Sequence, residues 1–346
     1  GVFEMGMDRP AFRGRRGMGP KVVALGGGTG LSTMLRGLKQ YTENITAIVT
    51  MADDGGGSGV LRQDLGMPPP GDIRNCLLAL SNTEPVMSEL LGYRFTEGIL
   101  KGQSFGNLFL AALNEISPSF DVAVRRMSEV LAITGRVLPV TNEDVYLEAE
   151  FENYTKVVGE SKIFQCKKEQ GCRIRRIRML PEHPKALPES LKAIREADLI
   201  LLGPGSLYTS IIPNLLVSGI VEELMVSDAL KLYICNVMTQ EGETEGYSAA
   251  DHIQAIFRHA DDKIFDYCLI NSGRIPKEIC ERYAVEGAAP IVCDRGACEK
   301  LGVQMIEKPV SMISDGKVKH DPLALGREIF SIYSEFGAMR IAGEDF

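Results

Sequence analysis

The chain has 346 residues, 45% hydrophobic and 24% charged, with a net charge of −8. That composition is ordinary for a globular protein and fills one large domain or two medium ones. The acidic balance sets the chain against the phosphate backbone of nucleic acid. Eight cysteines without a Cys-x-x-Cys pair argue against a disulfide frame or zinc site and for reduced thiols in a cytoplasmic protein.

Residues 1–20 are rich in Gly, Arg and Met and lack periodicity. They read as a flexible tail with a short basic cluster at Arg13, Arg15 and Arg16. No secretory signal is visible. The chain opens on Gly1 rather than Met, which leaves room for upstream residues, a membrane anchor included. From residue 21 to about 335 the pattern is that of one α/β unit, with 336–346 as a C-terminal tail. Val22–Leu25 is a short apolar run closed by glycines, as in a buried parallel strand. Leu31, Met34, Leu35 and Leu38 then recur at helical spacing. A second strand is expected over Ile45–Met51, running out at Asp53. Pro68–Gly71 is a rigid loop, and Asp72 is placed to cap a helix from about Ile73.

Between 143 and 180 the character changes. Val145, Leu147, Ala149 and Phe151 alternate with polar residues, which predicts an antiparallel β insertion. Its Arg173–Arg178 stretch reads as a solvated strand face, since few aromatics are interleaved. Leu199–Val221 carries no charge and is long enough to raise the question of a membrane span. Gly203, Pro204, Gly205, Pro213 and Gly219 break it into a strand, a loop and a helix instead. Strands are expected at Leu199–Leu202, Leu232–Asn236, Phe265–Asn271 and Ala289–Val292. Helices are expected from about Ser248, which has capping-box spacing to Asp251, and over Leu323–Tyr333.

Gly26-Gly27-Gly28-Thr29-Gly30 lies between the first strand and its helix. Glycines there allow positive φ and close backbone approach, and the N–H groups of a helix start cradle phosphate. No Lys-Ser/Thr pair follows, so this is no Walker A loop, and Leu31 breaks the regular G-x-G-x-x-G spacing. Asp53-Asp54, followed by Gly55, Gly56, Gly57, Ser58 and Gly59, falls where an acid takes the ribose hydroxyls in a dinucleotide fold. The same carboxylate pair could hold Mg²⁺ against a polyphosphate. A third glycine loop, Gly203-Pro204-Gly205-Ser206, continues to Thr209 and Asn214 after another buried strand. Three such loops at strand carboxyl ends converge on one crevice in an open α/β sheet. Arg62, Asp72, Arg74 and Asn75 lie next to the acidic loop in sequence, and the two arginines could reach phosphate bidentately. The polar run from Asn236 through Thr239 to His252 marks another strand end, and His252 reads as structural. No nucleophile elbow, His-Glu-x-x-His motif or general base is evident.

Taken in order, Gly26–Leu31, Ala52–Gly59, the run ending Asp72-Ile73-Arg74-Asn75, Ser104-Phe105-Gly106-Asn107, Gly203–Pro213 and Asn236–His252 resemble the bacterial gluconeogenesis factor family (the YvcK type) of the CofD-like superfamily. The resemblance covers roughly residues 20–335. It implies a three-layer αβα, Rossmann-like core with a mainly parallel sheet. It also implies a cytoplasmic regulator that binds a UDP-sugar, foremost UDP-N-acetylglucosamine, and is needed for cell shape and wall synthesis during gluconeogenic growth. A homo-oligomer and an unidentified protein partner go with that reading, and no reaction is attached to this branch. Related CofD enzymes transfer a phospholactyl group with Mg²⁺. The family often has His where this chain has Gln103, and Ser where it has Gly57. The loss of that hydroxyl leaves backbone donors intact, whereas Gln103 weakens any acid–base role at its position. Tyr283, Lys319 and His320 match positions that often hold Tyr and Arg-His and that would face the sugar nucleotide. Lys319 supplies charge without the planar fork of Arg. Two rival readings stand beside the sensor. One is a Mg²⁺-dependent transferase using a nucleotide-activated donor. The other is an NAD-dependent oxidoreductase, which the irregular glycine spacing disfavours.

Overall fold

The computed structural model describes residues 19–52, 56–83 and 85–343. Its strands in chain order are β1 Val22–Gly26, β2 Ile45–Val49, β3 Arg136–Pro139, β4 Tyr146–Phe151, β5 Lys156–Val158 and β6 Ile174–Leu180, then β7 Leu199–Leu202, β8 Leu230–Ile234, β9 Tyr267–Asn271, β10 Gln304–Lys308, β11 Ser311–Ser314 and β12 Lys317–His320. Seven of them form one parallel sheet in the order β10-β9-β8-β7-β1-β2-β3. Helices flank the sheet on both faces, giving the three-layer αβα core. Every residue of β1, β2 and β7 is buried, which is why these strands read as unbroken apolar runs rather than as alternation.

The insertion is a three-stranded antiparallel sheet in the order β5-β4-β6, with a helix over Glu160–Gln170 between its last two strands. Leu147, Ala149 and Phe151 of β4 and Ile174, Ile177 and Met179 of β6 form its buried face. Its arginines are engaged at the surface. Arg175 pairs with Glu150 at 2.7 Å, and the Arg173 guanidinium lies 4.5 Å from the Tyr247 ring centroid. The capping box at Ser248 and Asp251 forms as its spacing predicts.

Three expectations need correction. Ala289–Val292 is not a strand: it contributes a single antiparallel bridge, Pro290 to Met238. A proline without an N–H cannot extend a ladder. The strand beside β9 is instead β10, a half-exposed edge whose polar sequence gave no strand signal, and β3 at the opposite edge was not expected either. Asp72 does not cap its helix. Pro70 occupies the cap position and Asp72 lies in the first turn of Gly71–Leu80. The helix expected over Leu323–Tyr333 runs Pro322–Gly343. Among the described residues, no helix is long and apolar enough to cross a membrane.

The helix Gly28–Leu38 (α1) crosses the C-terminal helix at a glycine contact. A Cβ on Gly37 would overlap the Pro322 carbonyl, and a Cβ on Gly326 would stand 2.9 Å from the Gly37 oxygen. Both obstacles are backbone, so neither helix can yield locally. Gly37→Ala is therefore expected to destabilise the fold by about 1–3 kcal/mol despite the better helix propensity of alanine. Gly337→Ala in the same C-terminal helix meets nothing nearer than 3.4 Å and is expected to gain about 0.5–1 kcal/mol. Urea unfolding of the two variants checks the pair.

Candidate functional site

β1 pairs with β2 on one side and β7 on the other. The chain builds outward from β1 through β2 to β3, then returns and builds the other way from β7. The order of the sheet reverses between β1 and β7, and open α/β sheets leave a crevice at the carboxyl ends of such a pair. The glycine loops after β1 and β7 meet there.

Their approach is very close. A Cβ on Gly30 would stand 2.8 Å from the Pro204 oxygen and 3.2 Å from the Gly205 Cα. Gly28 at φ +67°, Gly203 at φ +79° and Gly205 at φ +154° adopt backbone conformations that side chains rarely tolerate. Gly27 is the extended N-cap of α1, and no side chain caps that helix. The first-turn N–H groups of an 11-residue helix thus face the crevice with its positive dipole end. Asn236 fixes the second loop from both sides: its Oδ1 accepts the Gly205 N–H at 2.9 Å and its Nδ2 donates to the Gly205 carbonyl at 2.7 Å. Ser206 donates to Gln240 Oε1 at 2.8 Å. Beneath both loops the buried Asn214 amide donates to the carbonyls of Gly26 and Ser210.

The crevice opens into a cavity of about 760 Å³. Ten of the residues singled out in the sequence line it. Thr29, Gly30 and Asn75 come from the first half, Gly205, Ser206, Asn236 and Thr239 from the loops after β7 and β8, and Tyr283, Lys319 and His320 from the C-terminal part. Thr239 also closes a loop, donating its N–H to Ala289 O and accepting the Ala289 N–H on its hydroxyl. The Tyr283 hydroxyl accepts the Val318 N–H at 2.9 Å and so holds the β11–β12 hairpin against the cavity. Burial pushes the His320 pKa down to about 4, against a hydrogen bond to the Cys235 backbone. The ring is neutral at physiological pH, and its Nε2 has no hydrogen-bond partner among the described residues.

Other singled-out residues are placed elsewhere. Arg62 does not reach the cavity. It pairs with Asp144 at 2.8 Å, donates to the Val145 carbonyl and lies 3.6 Å over the Tyr146 ring, tying the helix Gly56–Leu65 to the insertion. Arg74 bonds Asn75 at 2.9 Å and packs its chain where a Gly106 side chain would begin. Ser58 accepts the Gly71 N–H, and Ser104 caps its helix through the Asn107 N–H. Asn107, Thr209 and Asn214 are buried behind the cavity rather than on its wall. Asp72 holds its carboxylate 3.0 Å from where a Gly27 side chain would begin. Asp53, Asp54 and Gly55 lie outside the described residues. Among those described, no three of His, Cys, Asp and Glu gather to hold a metal ion.

Sequence reasoning missed Arg36, Phe164 and Lys317, all of which line the cavity. Lys317 was discoverable. Asp315 and Gly316 both have positive φ, as in a two-residue hairpin turn, and Asp-Gly is the usual signal for it. Arg36 sits on a helix whose start had been singled out, but nothing in the local pattern says which face meets the cavity.

Residues 22–311 match the family model described as 2-phospho-L-lactate transferase CofD. The chain belongs to the CofD family. Within it, this CofD-family chain is 56% identical over 314 residues to a Thermoanaerobacterium thermosulfurigenes protein named "Putative gluconeogenesis factor", covering 91% of this chain and 97% of that one. It is 50% identical over 306 residues to the gluconeogenesis factor of Bacillus subtilis, covering 88% and 95%. A crystal structure of a UPF0052 family member from Bacillus halodurans matches with a TM-score of 0.87 at 46% identity, over 90% of this chain and 99% of that chain.

The loop after β7 in this CofD-family protein leads into a π-helical turn, Leu207–Ile211, that rests on a buried acid. Glu243 accepts the Tyr208 N–H at 2.9 Å. Burial pushes its pKa up to about 7, against hydrogen bonds from Tyr208 and Thr209. The folded chain therefore holds this proton more tightly than the unfolded chain does. The resulting stabilisation is complete below about pH 4.5 and is lost as pH rises through about 7. Wild type is expected to lose about 2 kcal/mol relative to Glu243→Gln between pH 5 and pH 8. Urea unfolding at both pH values measures it, and a constant difference would mean that the carboxyl ionises in the fold as it does in the unfolded chain.

Proposed function

We propose that this chain is a ligand-sensing regulator that binds a UDP-sugar, foremost UDP-N-acetylglucosamine, in the switch-point cavity. The observation that carries the reading is the meeting of the uncapped α1 N-terminus with the Gly203–Ser206 loop at one wall of a cavity of about 760 Å³. Backbone donors at a helix start suit a diphosphate, and Arg36, Lys317 and Lys319 on the same cavity add positive charge in an otherwise acidic chain. The volume is in the range of small-molecule sites. The names of the relatives support a role in gluconeogenic growth, where the regulator reports cell-wall precursor status and sustains cell shape and wall synthesis.

A second reading, Mg²⁺-dependent transfer of a phosphorus-containing group, has one observation in its favour besides the family description. The Asp72 carboxylate lies beside the glycine cradle. An acid next to a phosphate site suits a divalent cation, as the Asp53-Asp54 pair does in the sequence.

Isothermal titration with UDP-N-acetylglucosamine, with and without Mg²⁺ and with NAD and GDP as controls, separates these readings. The sensor reading expects selective binding of the UDP-sugar without turnover. It also expects weaker binding by about tenfold or more in Gly30→Val, whose side chain would force the two loops apart. Asp53→Ala, Asp54→Ala binding as tightly as wild type would remove those acids from the site. GDP binding that requires Mg²⁺, with no response to the UDP-sugar, would favour the transferase reading instead, with turnover of a nucleotide-activated donor as its proof.

A further inference from the structure

We propose that Phe164 is the stacking platform for the base of the nucleotide, so that the β insertion completes the ligand site. The inference rests on the nucleotide reading above and adds where the base lies. The helix Glu160–Gln170 is polar along most of its length, and its buried anchor is Ile163. The adjacent Phe164 is not part of that anchor: it is 43% exposed and lines the same cavity as the glycine loops.

The ring is held rather than loose. Gly242, at φ +79°, lies against it, and a Cβ at that position would overlap the ring. Lys168 stands 5.5 Å from the ring centroid and pairs with Glu241 at 2.6 Å, while Lys167 bonds Glu245 at 3.4 Å. These ties fix the insertion helix to the loop after β8 and fix the direction of the ring. The part of the ring that stays exposed in the cavity forgoes the gain of apolar burial. The cations and backbone donors of the cavity suit the phosphates, and the hydroxyl of Tyr283, the other aromatic residue on the wall, is bonded to Val318. A planar base covers the Phe164 face, and Gln240 and Glu241 beside it offer hydrogen-bonding groups for a base edge.

Two measurements test this. Calorimetry compares UDP-N-acetylglucosamine and inorganic pyrophosphate on wild type, Phe164→Leu and Phe164→Tyr. Leucine keeps the apolar packing on Gly242 and removes the aromatic face. The expected result is a UDP-sugar Kd weakened roughly tenfold or more in Phe164→Leu, near wild type in Phe164→Tyr, with pyrophosphate binding unchanged. Equal UDP-sugar affinity in wild type and Phe164→Leu would overturn the stacking while leaving UDP-sugar binding standing. If wild type binds no UDP-sugar, the binding reading fails by itself and the second measurement decides the stacking. The chain has 0 tryptophans, so Phe164→Trp is a single-tryptophan reporter. Quenching by UMP, GMP or AMP but not by ribose 5-phosphate is expected, and no quenching by any nucleotide would overturn the proposal.

Discussion

The close packing of two backbones at the sheet reversal is the constraint on which the site depends. With the Pro204 oxygen 2.8 Å from where a Gly30 side chain would begin, the loops after β1 and β7 have no space for side chains between them. What the loops lose in side-chain contacts they recover in backbone hydrogen bonds. Asn236 satisfies both backbone groups of Gly205, and Asn214 takes up the Gly26 carbonyl from below. Left without a partner, the two Gly205 groups would cost about 1–3 kcal/mol each in a buried setting; the Gly26 carbonyl also accepts the Thr50 N–H at 3.0 Å. The asparagines therefore do for the loops what ladder hydrogen bonds do for the strands. They leave the N–H groups at the start of α1 as donors facing the cavity.

Charge is distributed to suit that geometry. The chain is acidic overall, yet Arg36, Lys317 and Lys319 stand on the cavity together with a helix N-terminus. His320, on the same wall, is kept neutral by burial and adds no positive charge to it. Behind the wall the opposite choice is made. Glu243 is buried where a carboxylate is costly, and hydrogen bonds from the Leu207–Ile211 turn only partly offset that cost. The turn that follows the second glycine loop is thus anchored by a group whose charge state changes near neutrality.

Much of the core was legible because its signals are local. The glycines after β1 and β7 follow unbroken apolar runs, and both features report on the residues that carry them. The capping box at Ser248 and Asp251 is of the same kind. What failed was decided by distant partners. Arg62 looks like a phosphate ligand from its neighbours in sequence, but its destination is set by Asp144 and Tyr146 in the insertion. β10 is an edge strand with few buried residues, so its sequence lacks the apolar run that marked its neighbours. Ala289–Val292 has strand-like composition, yet Pro290 removes the donor that a ladder needs. Phe164 carries no signal at all, because a phenylalanine in a polar helix reads the same whether it faces a core or a cavity.

The cavity is assembled from segments far apart in the chain: the start of α1, the insertion helix, the loops after β7 and β8, and the hairpin β11–β12. None of these forms the wall alone. The insertion meets the loop after β8 through Lys167, Lys168 and Phe164, and the hairpin is held by Tyr283. A ligand that touches all of them binds only the fully folded chain, so its binding energy adds to the stability of the arrangement as a whole. The contact between the two glycine loops is fixed by backbone. The contacts of the insertion are side-chain contacts, one of them the exposed Lys168–Glu241 pair, and that of the hairpin includes the hydrogen bond to Tyr283. The cavity wall thus joins a backbone-fixed inner contact to side-chain contacts at its rim.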